Sequence, residues 1–194
     1  MRIIAGQLRS RPLQAPPGLA TRPTSDRLRE TLFNVLAPRI EGAVLLDLYA
    51  GSGAVGMEAL SRGAAHVVFV ERAQPALSVL RANLAKLGLT AGFRIHAQSV
   101  GSFLRKPAAK DAPPFDIVFL DPPYDAEQEY EATLRLLGNA ATPLLAPGAV
   151  VIAEHRKKDR LEDRYGALQQ TRLLQQGDAG LSFYAIGAVP AERA

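Results

Sequence analysis

The residues best suited to chemistry are Asp121-Pro122-Pro123-Tyr124, which directly follow the apolar run Phe115-Asp116-Ile117-Val118-Phe119-Leu120. A buried-strand pattern that stops in a carboxylate, two prolines and an aromatic ring is a poor ordinary turn. It is a good holder for a flat, electron-poor amine. Both prolines fix their own φ, and Pro122 pushes Asp121 towards extended geometry. The Asp121 carboxylate accepts hydrogen bonds, and the Pro122 carbonyl has no competing donor on its own nitrogen. The Tyr124 ring can stack on a base.

A second constellation lies earlier, in Leu45-Leu46-Asp47-Leu48-Tyr49-Ala50-Gly51-Ser52-Gly53-Ala54-Val55-Gly56. Gly51, Gly53 and Gly56 form a G-x-G-x-x-G run between a predicted strand and a predicted helix, the context that motif requires. Such glycines let the backbone approach a ligand, and the helix start is positively polarised. A dinucleotide-binding domain would seat a pyrophosphate there. Asp47 argues otherwise, because a carboxylate just before the turn repels a pyrophosphate and suits a cationic ligand. The next strand ends at Glu71, 18 residues after Gly53. An acid at that place can accept both hydroxyls of a ribose. NAD and S-adenosylmethionine both carry that ribose, so Glu71 implies a nucleoside cofactor without choosing between them.

The elements that must position these residues alternate regularly. Strands are predicted at Val44–Leu48, Val67–Val70, Phe93–His96, Phe115–Leu120 and Ala149–Ala153, and helices at 54–62, 75–87, 100–105 and 127–141. That alternation predicts a parallel sheet covered on both faces. After Glu154 the order changes: a charged stretch at 156–164 leads to Gln169–Leu174 and Leu181–Ile186, expected to pair antiparallel across a short loop. Ahead of the alternating region, two short strands around Gly6-Gln7-Leu8 predict a hairpin. Thr24-Ser25-Asp26 offer cap oxygens for a helix that ends near Pro38.

Composition bounds the remaining possibilities. The chain has 194 residues, 47% hydrophobic and 22% charged, within the range of globular proteins. Its apolar stretches are strand-length, so neither a membrane span nor a secretory leader is expected, and a cytoplasmic protein is the simplest reading. With no cysteine, the chain has no disulfide, thiolate metal site or cysteine nucleophile. His66, His96 and His155 are scattered without ligand spacing, so no metal is expected. The net charge of +4 is uneven. Residues 1–39 hold seven arginines against Asp26 and Glu30, whereas the remainder is close to neutral. A basic arm on a neutral body suits a polyanion, and arginine suits bidentate phosphate contacts; on charge alone a solvated, solubilising surface fits equally.

The motifs from Asp47 to Gly56, Glu71 and Asp121-Pro122-Pro123-Tyr124 together resemble a class I S-adenosylmethionine-dependent methyltransferase. The start narrows the resemblance. Met1-Arg2-Ile3-Ile4-Ala5-Gly6, Arg9-Ser10-Arg11, Arg22-Pro23-Thr24-Ser25-Asp26-Arg27 and Arg29-Glu30-Thr31-Leu32-Phe33-Asn34 are similar to the RsmD family. These are bacterial guanine-N2 methyltransferases of small-subunit ribosomal RNA. The resemblance implies a Rossmann-like α/β fold: a mostly parallel seven-stranded sheet with an antiparallel last strand, and a basic hairpin extension (residues 1–20) ahead of the methyltransferase domain (21–194). It implies that Asp47, Gly51 and Gly53 line the methionine part of the cofactor and that Glu71 holds its ribose. Tyr49, Arg72 and Ser99 would complete the cofactor site, and Asp121, Pro122 and Tyr124 would hold the target base. Two positions depart from the pattern. Gln98-Ser99 stands where related enzymes often place an acid on the adenine amine, and Ser10 stands where glycine is expected.

An exocyclic purine amine is a weak nucleophile. Accepting its two N–H bonds, one at Asp121 and one at the Pro122 carbonyl, favours a pyramidal nitrogen and stabilises the charge that develops on it. Methylation at pyrimidine C5 needs a cysteine attack, which this chain cannot supply. Against the ribosomal RNA reading stand an adenine-N6 enzyme acting on DNA or other RNA, an NAD-dependent oxidoreductase that would leave Asp121–Tyr124 unexplained, and a non-catalytic RNA-binding module. The expected partner is ribosomal RNA or the small ribosomal subunit, bound by a monomer. Arg9, Arg11, Arg22, Arg27 and Arg29 are the candidate phosphate contacts, unless some pack or pair with Glu30. Removing residues 1–15 is expected to weaken RNA binding and to leave cofactor binding largely intact.

Overall fold

The computed structural model describes residues 1–15, 25–105, 114–123, 127–139 and 144–187. Arg22, Tyr124 and the tail from 188 lie outside the described residues. Helix α1 (Asp26–Leu36) starts where a cap oxygen is available: Ser25 Oγ accepts from Leu28 N at 3.1 Å. Its apolar stripe of Leu28, Leu32, Phe33 and Leu36 is buried, as the helical period requires. Pro38 sits in the 3-10 turn Ala37–Arg39 that follows.

Strands β1 (Val44–Leu48), β2 (His66–Glu71), β3 (Phe93–Ala97), β4 (Phe115–Leu120) and β5 (Leu145–Arg156) alternate with α2 (Ala54–Ser61), α3 (Gln74–Leu87), α4 (Val100–Arg105) and α5 (Glu127–Leu137). They run parallel, followed by β6 (Arg164–Tyr165), β7 (Leu168–Gln176) and β8 (Ala179–Ile186). The described residues form one eight-stranded sheet of order β3-β2-β1-β4-β5-β8-β7-β6. The last strand, β8, pairs antiparallel with β5 and with β7. The two-residue β6 is an addition to the seven expected strands, and two residues are too few to show any periodicity. Strand β5 is longer than the expected 149–153, and α5 stops earlier than 141.

Successive strand residues serve opposite faces. Leu45, Val67, Phe69, Ile117 and Phe119 pack with α1, α2 and α3. Leu46, Leu48, Val68, Val70, Val118 and Leu120 pack with α4 and α5. Among the described residues, no helix is long and apolar enough to cross a membrane.

The first fifteen residues turn back on themselves through a single bridge, Arg2 to Pro12, rather than two regular strands. Ile3 N donates to Arg11 O and Leu13 N to Met1 O, both at 3.0 Å. Side chains of Ile3 and Leu13 are buried in the core. The backbone is tied down as well. Ile4 N and Ala5 N donate to the buried Glu58 carboxylate at 2.7 and 3.0 Å, and Leu8 N donates to Ser61 Oγ at 2.9 Å. Buried Asn83 accepts from Gln14 N at 2.8 Å and donates to Gln14 O at 3.0 Å. The same amide donates to Ser52 O, inside the glycine-rich turn, at 3.0 Å. Ser10, where glycine was expected, has φ of 68°. The loop does adopt the left-handed geometry that favours glycine, and serine bears the strain.

Candidate active site at the carboxyl edge of the sheet

Because β1, β2, β4 and β5 are parallel, their carboxyl ends open on one edge. Each ends in or beside an acid: Asp47, Glu71, Asp121 and Glu154. A cavity of about 1150 Å³ lies at that edge, walled by Tyr49, Gly51, Glu71, Arg72, Gln98, Ser99, Asp121 and Pro122 among others. The two constellations read from the sequence, 50 to 75 residues apart, therefore share one space.

The glycine-rich turn divides its labour. Gly51 and Gly53 take φ of 55° and 79°, left-handed values that other residues adopt only with strain. Gly56 is needed for packing instead, since a Cβ there would stand 2.3 Å from the Phe69 ring. Asp47 is 2% exposed, and its Oδ2 accepts from Gly56 N at 2.9 Å. On β1 it shares a face with Leu45, the face that α2 covers, so its carboxyl serves the helix start that Gly53 has no side chain to cap. Neither Asp47 nor Gly53 is part of the cavity wall, whereas Tyr49, Gly51, Glu71, Arg72 and Ser99 are. Burial, opposed by the Gly56 bond and reinforced by the Glu71 charge, raises the Asp47 pKa to about 8.

The Glu71 carboxylate is held by backbone amides: Gly51 N at 2.9 Å, and Arg72 N and Ala73 N each at 2.7 Å. It joins the β1 turn to the start of α3. A carboxylate has about four acceptor positions, so a ribose diol would compete for at least one of these bonds. Ser99 Oγ lies 2.9 Å from Ser102 Oγ and accepts from Ser102 N at 3.3 Å, at the start of α4. Gln98, beside it, also lines the cavity.

Tyr49 has φ of 61°, a costly geometry for a bulky residue and one that collects at functional sites. Its hydroxyl donates to Glu129 Oε2 at 2.8 Å and lies 2.7 Å from Thr133 Oγ1, both on α5. Burial raises its pKa. At the end of β4, Asp121 is half-buried, Pro122 is buried and Pro123 is exposed. Burial first, then the charges of Glu154 and Asp47, raises the Asp121 pKa well above the usual carboxylate range. Three acids thus crowd one end of the sheet, and an incoming cation would relieve all three.

Several of these residues were missed at the level of sequence. Glu129 and Thr133 stand four apart on one face of α5, a spacing that could have flagged them. Glu154 follows the predicted strand Ala149–Ala153 as Asp121 follows Phe115–Leu120, a repeat visible in the sequence. Arg105 and Arg156, also in the wall, carry no local signature.

The arginines split. Arg29 was a candidate phosphate contact, but it is fully buried. Its Nη2 donates to Arg2 O at 2.5 Å and to Asp26 Oδ1 at 3.0 Å, and its Nε lies 3.8 Å from Glu58 Oε2. It pairs with Asp26 and Glu58, not Glu30, because α1 turns that face onto α2. Arg9, Arg11 and Arg27 are exposed. Arg11 Nη1 nevertheless donates to Leu87 O at 3.1 Å, at the far end of α3.

The doubly covered parallel sheet, its reversed last strand and a cavity edged by strand-end acids define a class I methyltransferase fold. The chain belongs to the family described as Conserved hypothetical protein 95, whose pattern matches residues 1–185, and which is the RsmD family. It is 47% identical over 137 residues to Ribosomal RNA small subunit methyltransferase D of Escherichia coli (strain K12), covering 71% of this chain and 66% of that protein. It is 38% identical over 184 residues to YlbH of Bacillus subtilis (strain 168), covering 95% of this chain and 98% of that one. The solved structure of yhhF from Escherichia coli superposes with a TM-score of 0.82 at 36% identity, covering 95% of this chain and 96% of that one.

Proposed function

We propose that this chain methylates the exocyclic N2 amine of a guanine in small-subunit ribosomal RNA, with S-adenosylmethionine as donor. The observation that carries the reading is that Asp121 and Pro122 share one cavity with Glu71 and the Gly51 turn. An amine holder and a nucleoside holder thus face the same space. The relative named for small-subunit ribosomal RNA supports the substrate class, and the RsmD family membership supports guanine N2.

The donor set fits the cofactor. Glu71 is an oriented acceptor for a ribose, and Gln98 is the better adenine partner because Ser99 is occupied at the start of α4. Arg72 borders the ribose side, and Tyr49, anchored to α5, walls the cavity beside Gly51. The buried acids suit a sulfonium: a positive charge near them favours their ionised forms, with Asp47 contributing from behind the turn. When bound, S-adenosylmethionine supplies an electrophilic methyl group that needs only alignment.

The chain's own residues then act on the acceptor. The Asp121 carboxylate and the Pro122 carbonyl accept the two amine N–H bonds, which turns the nitrogen lone pair towards the methyl. As the new N–C bond forms, Asp121 stabilises the growing positive charge, and one N–H proton is shed afterwards. Tyr124, outside the described residues, is assigned the stacking partner of the base, and the prolines keep the holder stiff. Arg9, Arg11 and Arg27 are assigned to RNA phosphates.

The test is incubation with labelled S-adenosylmethionine and unmodified ribosomal RNA or small subunits, followed by nucleoside analysis. N2-methylguanosine is the expected product. Label in another nucleoside, or cofactor binding with no RNA methylation, overturns the assignment.

A further inference from the structure

Arg9 and Arg11, the candidate contacts of the N-terminal segment, are not among the residues that wall the cavity. Gln7 N and Leu8 N are bonded to Ser61, the last residue of α2, and Arg11 to Leu87, the last residue of α3. Both helices start at the cavity edge and run away from it. Of the other arginines before residue 40, Arg29 is buried, Arg2 lies 3.7 Å from Asp26 and Arg39 donates to Gly148 O.

The cavity edge has its own basic run. Strand β5 ends at Arg156, in the cavity wall with Asp121 and Pro122, and continues as Lys157-Lys158-Asp159-Arg160. Lys157, Lys158 and Arg160 are exposed. The run is a defined turn: Lys157 N donates to Asp178 O at 2.8 Å and Asp159 N to Arg156 O at 2.9 Å. Asp178 belongs to the β7–β8 hairpin, whose Gln176 accepts from Thr31 of α1 at 3.1 Å. The exposed Arg27 lies one helical turn before Thr31. Loop, hairpin and α1 are therefore linked in one continuous run that starts at Arg156 in the cavity wall.

We infer that the loop Arg156–Arg160 is the RNA-phosphate contact that delivers the target nucleotide to Asp121, with Arg27 extending the same track. This rests on the RNA-substrate reading. Lys157, Lys158 and Arg160 grip the flanking backbone, and Arg156, at the wall, holds the phosphate nearest the inserted base. Such contacts set position and salt dependence rather than sequence preference.

The test compares the wild type with a Lys157→Glu, Lys158→Glu, Arg160→Glu triple variant and with an Arg9→Glu, Arg11→Glu double variant. RNA affinity is measured against salt on a small-subunit ribosomal RNA fragment, and affinity for S-adenosylhomocysteine by calorimetry. The triple variant should lose at least 100-fold in RNA affinity at low salt. Its log–log salt slope should become shallower by about 2 to 3, at about 0.7–0.9 per phosphate contact, with cofactor-product affinity within twofold. The double variant should lose less. Single alanine variants at the three positions, each with part of the loss, guard against a folding artefact. An unchanged slope in the triple variant, with wild type methylating RNA, overturns the loop assignment and leaves the function standing. A wild type that neither binds nor methylates RNA overturns the function itself.

Discussion

Asp121 combines two demands that conflict in isolation. In the proposed reaction it must be ionised to accept an amine N–H, yet burial and the neighbouring acids favour its neutral form. A cationic donor resolves the conflict, so the acid is set for work when the cofactor is present. Asp121→Ala should therefore keep cofactor affinity within about tenfold while turnover falls about 10²-fold or more, the scale of one preorganised electrostatic contact. Steady-state kinetics beside calorimetry separate the two, and near-normal turnover would remove Asp121 from the mechanism. Ser10 makes a different prediction. It bears a left-handed φ on an exposed loop, so Ser10→Gly should stabilise by about 1 kcal/mol and leave activity unchanged. A thermal melt in which the variant unfolds earlier than wild type would contradict it.

The N-terminal segment behaves as part of the core. Its apolar anchors Ile3 and Leu13 are worth about 1.5–3 kcal/mol each. Without it, Glu58 and Asn83 lose their bonds to Ile4, Ala5 and Gln14, at about 1 kcal/mol for each bond. The sum rivals a typical domain stability. Deletion of residues 1–15 should thus abolish cooperative folding, seen by circular dichroism, and cofactor binding with it. That reverses the outcome expected from charge alone. Asn83→Ala is the gentler probe. Because Asn83 bonds both Gln14 and Ser52, the variant should lower the melting temperature and weaken cofactor affinity together. Loss of stability with cofactor affinity intact would show that the turn does not depend on Asn83.

At the scale of the whole molecule, charge is arranged by edge. Acids gather inside the carboxyl edge of the sheet, with cations on its rim, and the inner acids carry a stability cost that depends on pH. Asp47 binds its proton up to about pH 8 in the folded chain, against about 3.9 when unfolded. Between those values the unfolded state holds fewer protons, so stability falls as pH rises from about 4 to about 8 and is flat beyond. Asp47→Asn, which can still accept from Gly56 N, should flatten that part of the profile. Melting curves from pH 5 to 9 would show it, and parallel profiles for the two proteins would remove Asp47 as the cause.

Strand and helix periodicity, the glycine spacing and the acids at strand ends were legible along the chain, because each is dictated within one element. β1 and β4 fall where alternation and buried runs put them, and Ser25 caps the helix its hydroxyl announces. The pairing of Glu71 with Gly51 N, the hold of α5 on Tyr49 and the bond of Asp47 to Gly56 N were not legible. Each depends on which face meets which neighbour. Charge was the most deceptive signal. A count assigns the basic excess to residues 1–39, but burial removes Arg29, and Arg9 and Arg11 stand outside the cavity wall. The order of strands and helices, the family and the residues proposed to hold the amine could all be read along the chain, since these rest on local geometry and residue chemistry. Which cations border the cavity emerges only on folding, because distance across a folded chain is set by packing and not by position along it.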